Sequence, residues 1–277
     1  MPKLQIYLIL FALIVFAEHS NAAEPSTVCE VNNTSFAPGE KLTYLLSYTW
    51  FFVWTDVGEV EFNVNADKRD GKEALHLHTF GHTYTFYDWF YKVRDTHETW
   101  VEAKTLKPIY FNMDVNQGSY TKENEYWFDW KSGIVDARIQ RRGRENNFYQ
   151  IPMEDNCVYD IVSAIYMARN LNLTDIKPGQ SFPLKVALDE DVFDVTYRFV
   201  KEEKIKVRGA GRFNTLKFRV ELIAGDIFGE GQYLYVWVTN DSNKLPVYIE
   251  SPIKVGKVRV RIDEWQGLKH PLNAKVD

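Results

Sequence analysis

The sequence predicts a mainly β protein: a large antiparallel curled sheet or open barrel of about 12–15 strands with one amphipathic helix (about 157–171) packed on it. Apolar and polar side chains alternate with period two through most of the chain, the pattern of half-buried strands. These runs recur at the spacing of an antiparallel sandwich, barrel or curled sheet. One longer stretch switches to three-four spacing, which is helical.

The first residues are set apart from that fold. Met1-Pro2-Lys3 is a short positive start, Ile6 to Ala17 run apolar, and Ser20 and Ala22 are small residues suited to cleavage after Ala22. As a helix the apolar run spans about 18 Å, short of the roughly 30 Å hydrocarbon core. Residues 1–22 are therefore expected to be a signal peptide. Residues 23–277 are expected to form a single β-rich domain, periplasmic or secreted, with no transmembrane segment. Export places Cys29 and Cys157 in an oxidising compartment, where two cysteines are expected to pair as one disulfide.

Leu42, Tyr44, Leu46, Tyr48, Trp50, Phe52 and Trp54 share the even positions of one expected long strand with a strongly aromatic side. Asp56-Val57-Gly58 suits the turn that ends it. Val60, Phe62, Val64 and Ala66 then alternate with Glu59, Glu61, Asn63 and Asn65, and a polar loop at 67–71 returns the chain as Glu73 to Phe80. Tyr84, Tyr87 and Tyr91 fall on one face of a short helical segment. Further alternation marks strands at Ile109 to Val115, Tyr120 to Trp130, Ile134 to Ile139, Phe182 to Leu188, Phe193 to Phe199, Leu216 to Leu222, Tyr233 to Trp237 and Val258 to Ile262. Val158, Ile161, Val162, Ile165 and Ala168 are the helical exception, with Asp155 or Asn156 as N-cap and Pro178-Gly179 as the stop. The two β-rich lobes, about 37–151 and 178–267, are expected to share one sheet because the connections around the helix are short.

Composition narrows the function classes. The chain has 277 residues, 45% apolar and 26% charged, which excludes disordered and collagenous classes. A net charge of −5 argues against a nucleic-acid partner. Two cysteines cannot make a four-thiolate zinc site. His76 and His78 point the same way on a strand, with His82 nearby, yet no further ligand pattern accompanies them, so no metal is assigned. No cofactor is expected. Arg138, Arg141, Arg142 and Arg144 suit a solvated hairpin tip or a phosphate-bearing head group. Asp88, Asp95, His97, Glu98 and Glu102 lie among aromatics, as in many sugar-hydrolase clefts, although Glu98, Trp100 and Glu102 also alternate as an ordinary strand.

Several residues together resemble a known exported bacterial family, domain of unknown function 3108. They are Phe36-x-Pro38-Gly39-Glu40-Lys41-Leu42-x-Tyr44, Val93-Arg94-Asp95, Thr105-Leu106-x-Pro108, Asp160-x-x-Ser163-Ala164-x-Tyr166-x-x-Arg169, and Trp237-x-Thr239-x-Asp241 leading to Leu245-Pro246 and Gly256. The similarity runs from about 36 to 265. It implies an envelope protein of mostly antiparallel strands with one helix, similar in plan to periplasmic lipoprotein carriers, and it transfers no catalytic residue.

Aromatic density carries the functional expectation. The 8 Trp, 16 Tyr and 18 Phe make up 15% of the chain, and they concentrate in two segments. Trp50, Phe52, Trp54, Tyr84, Tyr87, Trp89 and Tyr91 form the expected ligand-binding set of a non-enzymatic module. Its partner would be a lipid, a glycan-like ligand or an envelope protein. A periplasmic glycan hydrolase using carboxylates of the Asp88–Glu102 region is one alternative. A structural scaffold for outer-membrane assembly, with exposed strand edges or an apolar surface patch, is the other.

Overall fold

A computed structural model describes residues 31–50, 53–153, 157–221, 233–252 and 257–276. The proposed signal peptide, Cys29, Phe52, and the two expected helix caps Asp155 and Asn156 lie outside the described residues. Eight strands form an antiparallel meander: β1 (Lys41–Trp50), β2 (Val53–Arg69), β3 (Lys72–Thr83), β4 (Val93–Glu102), β5 (Pro108–Gln117), β6 (Tyr120–Asp129), β7 (Ile134–Arg141) and β8 (Asn147–Pro152). Between β3 and β4 lie a 3-10 turn (Thr85–Tyr87) and the one-turn helix α1 (Asp88–Tyr91).

A second series follows: β9 (Val158–Tyr159), helix α2 (Ile161–Ala168), β10 (Ser181–Leu188), β11 (Asp191–Val207), β12 (Gly211–Glu221), β13 (Tyr233–Thr239), β14 (Pro246–Pro252) and β15 (Lys257–Gln266). Antiparallel pairing of β1 with β15 joins both series into a single 16-stranded sheet, with β16 (Lys275–Val276) beside β12. Among the strands outside the alternating runs, β9 and β16 are two residues each, too short to show a period.

The connectivity forces the curl. Laid flat, fifteen strands would put β8 and β9 about 65 Å apart at ordinary strand spacing. Pro152 and Val158 are joined by a link that reaches roughly 20 Å at most. The sheet therefore rolls until its edges approach each other, with β8 near β11, and it stays open. Strands from both halves of the chain lie in that sheet.

Helix α2 fills the roll. Ile161, Val162, Ser163, Ala164, Tyr166 and Met167 are buried, so nearly the whole circumference is covered rather than one stripe. It starts later than the apolar spacing suggests, because Val158 and Tyr159 pair in parallel with Lys185 and Val186 as β9. Asp160 is the N-cap. Its carboxylate accepts from the Val162 and Ser163 amides, both at 2.9 Å, and from Thr99 Oγ1 on β4 at 2.8 Å.

The expected turn at Asp56-Val57-Gly58 is instead inside β2. Leu46 faces Gly58 and Ser47 faces Asp56, which leaves Val57 as the extra residue of a β-bulge. Gly58 marks the bulge because a Cβ there would sit 2.3 Å from the His82 carbonyl oxygen.

Candidate functional site

Inward-facing residues of β1, β2 and β11–β15 meet α2 around a partly open cavity of about 150 Å³. Leu42, Tyr44, Val60 and Phe62 form one wall, Phe218, Val220, Leu234, Val236 and Val238 the opposite one, and Ile161, Ile165 and Ala168 of α2 the roof. Each strand contributes alternate residues, so the period-two pattern that builds the sheet also builds the cavity. An apolar cavity of this size has room for small hydrocarbons.

A few polar groups interrupt the lining. Tyr44 Oη donates to the Pro246 carbonyl at 3.0 Å. Tyr166 is fully buried, and its hydroxyl has no hydrogen-bond partner among the described residues. Burial drives the Tyr166 pKa up, so the phenol is neutral. Arg169 is bound by Glu40. Lys244 lines the cavity without an ion-pair partner among the described residues. Desolvation, and then the Arg169 charge, pull its pKa down.

The residues expected to bind ligand lie elsewhere. Trp54 sits on the outer face of β2, with the Arg259 guanidinium 3.5 Å above its ring. It points away from Tyr44 because the chain has already turned into β2 and the bulge follows. Trp50 ends β1. Tyr87 shares a hydrogen bond with Thr55 at 2.8 Å, Tyr84 bonds through its amide to the Val57 carbonyl, and the Tyr91 ring packs on Gly118. Trp89 is 81% exposed. None of Trp54, Tyr84, Tyr87, Trp89 and Tyr91 lines the cavity.

Much of the aromatic excess instead lies outside the sheet beneath cations. Lys217 stacks over Tyr235 and Trp237, Arg219 over Tyr233, and Arg69 over Trp100 and Tyr110.

The carboxylates of the Asp88–Glu102 region do not converge. Asp88 is held by Arg94 at 2.7 Å, which keeps its pKa low. Asp95 points inward to the Asn116 amide and Gln117 Nε2, and burial pushes it up to about 6. Glu98 and Glu102 point outward, to His76 and Thr105. A hydrolase needs two carboxylates across one scissile bond; here Asp95 faces inward, while Glu98 and Glu102 share the outer face and are engaged separately by His76 and Thr105. His76 stacks on Trp100 with centroids 4.2 Å apart and bonds Glu98 at 3.0 Å. Among the described residues no group of three or more His, Cys, Asp or Glu gathers to hold a metal.

The chain matches the family model described as protein of unknown function (DUF3108) over residues 43–263. It belongs to the DUF3108 family. Two of the resembling motifs of this DUF3108 chain meet at α2: Asp160 caps it, Tyr166 lines the cavity, and Arg169 ties its end to Glu40. No relative among curated proteins matches the sequence. A crystal structure of a β-barrel-like protein of domain of unknown function DUF1849 from Brucella abortus is similar, with a TM-score of 0.54 at 9% identity. The match covers 84% of this chain and 98% of the Brucella protein, and the likeness is one of fold. A candidate lipoprotein from Parabacteroides distasonis aligns with a TM-score of 0.37 at 11% identity, covering 85% of this chain and 99% of that one. Among the described residues no helix is long and apolar enough to cross a membrane.

Proposed function

We propose that this protein is an exported, non-enzymatic binding protein that holds an amphiphile with a hydrocarbon tail and an anionic head in the cavity beneath α2. The observation that carries the reading is the cavity itself: a largely apolar lining broken by Lys244, by Arg169 already paired with Glu40, and by the unpartnered Tyr166 hydroxyl. A tail gains about 25 cal/mol for each Å² of apolar surface it buries there. Lys244 supplies a counter-charge for a carboxylate or phosphate, and Tyr166 supplies a neutral donor. A glycan fits less well, because its hydroxyls would lose water against aliphatic walls and find few partners.

Displacement of a fluorescent fatty acid from the purified mature chain tests this. Wild type is expected to bind it, Ala168→Phe to block it by filling the cavity, and Lys244→Met to weaken it. Binding that survives Ala168→Phe unchanged would sink the proposal. Solvent extraction of protein purified from its own host, followed by mass spectrometry, would identify the natural ligand.

A further inference from the structure

The segment between β3 and β4 sorts its aromatics in an unusual direction. Tyr84, Tyr87 and Tyr91, the aromatics with a polar tip, are half-buried and hold the segment to the sheet. Phe86, Trp89 and Phe90, the more apolar ones, are 74%, 81% and 60% exposed. The mounting is firm. Asp88 accepts from Thr83 Oγ1 at 2.8 Å and pairs with Arg94, and the Gly118 amide donates to the Lys92 carbonyl at 2.7 Å. The exposed rings therefore project from a fixed base.

Two cations without ion-pair partners among the described residues border them. Lys92 is exposed directly after α1. Arg142, also exposed, donates to the carbonyl and hydroxyl of Ser119, in the turn on which Tyr91 packs. Neither cation has an ion-pair partner among the described residues, whereas Arg138 and Arg141 are consumed by Glu123, Glu125 and Glu190.

We infer that Phe86, Trp89 and Phe90 insert into the interface of a lipid bilayer, with Lys92 and Arg142 against anionic head groups. Trp favours the head-group level and Phe the acyl boundary, and each nearby basic residue adds attraction to an anionic leaflet. Charge complementarity commits the patch to an anionic lipid surface. The inference rests on the patch alone and does not depend on what the cavity holds.

Co-sedimentation with phosphatidylglycerol vesicles and with phosphatidylcholine vesicles tests it. Wild type is expected to partition onto the anionic vesicles, and about tenfold less onto the zwitterionic ones. The triple variant Phe86→Ser, Trp89→Ser, Phe90→Ser and the double variant Lys92→Glu, Arg142→Glu should each lose about tenfold or more. Lipid-borne bromine should quench wild-type tryptophan fluorescence more than that of Trp89→Phe, a single change at an exposed position. Absence of wild-type binding to anionic vesicles would overturn the inference. Equal binding by the triple variant, or equal quenching in Trp89→Phe, would overturn it too.

Discussion

Arg169 grips Glu40 with both arms of its guanidinium, Nη1 to Oε1 at 2.5 Å and Nη2 to Oε2 at 2.8 Å, with both side chains buried. Arg169 Nε donates to the Asn243 carbonyl at 3.2 Å, and its charge lies near the Phe36 and Tyr166 rings. One side chain thus ties the end of α2 to the strand-leading residues at 36–40 and to the β13–β14 turn. Removing one partner leaves an uncompensated buried charge. Glu40→Ala is expected to cost about 3–5 kcal/mol in urea unfolding, and Glu40→Leu with Arg169→Met to recover most of it.

Asp95 gives the stability a pH signature. Its folded pKa, pushed up to about 6 by burial, lies above the unfolded value. Between about pH 4 and pH 6 the folded chain keeps a proton that the unfolded chain has released, so stability falls as pH rises. Relative to Asp95→Asn, the wild type should lose on the order of 2–3 kcal/mol across that window, measured by urea unfolding.

Tyr166→Phe separates stability from binding. Deleting a buried hydroxyl that lacks a partner should leave the apo fold equal or more stable, by up to about 1–2 kcal/mol. The same change should weaken fatty-acid binding. A variant that is destabilised and binds normally would remove Tyr166 from the proposed site.

The bridge between Cys29 and Cys157 is a proposal that chemistry can settle. Cys157 is fully buried in the same cluster against which Val31 packs, two residues after Cys29. Alkylation of unfolded, unreduced protein should label neither cysteine. Reduction should cost up to about 5 kcal/mol, the chain-entropy figure for a loop of this length.

The sheet was legible because burial on one face writes a period of two into every long strand. The helix was legible for the same reason at three-four spacing, yet its start was not. Val158 and Tyr159 fit a helical stripe and a strand equally well, and the pairing with β10 decides between them. Strand β14 escaped because prolines sit at both of its ends. The cavity escaped for a different reason. Alternation says which residues face inward but not which inward residues meet, and Leu234 and Val236 alternate with the more conspicuous Tyr233 and Tyr235. Those tyrosines lie on the outer face because Leu234, Val236 and Val238 take the inner one, and Arg219 and Lys217 cover their rings.

The β1–β15 seam sets the order in which this protein can finish folding. Leu45 pairs with Arg261, so the first strand to be synthesised waits for the last long one. Until then the β1 edge is an unpaired row of amides and carbonyls in the middle of the future sheet. A contact of such long sequence separation forms slowly and late. The half-made meander is therefore the species most exposed to wrong strand pairing, and the stage at which a chaperone would be of most use.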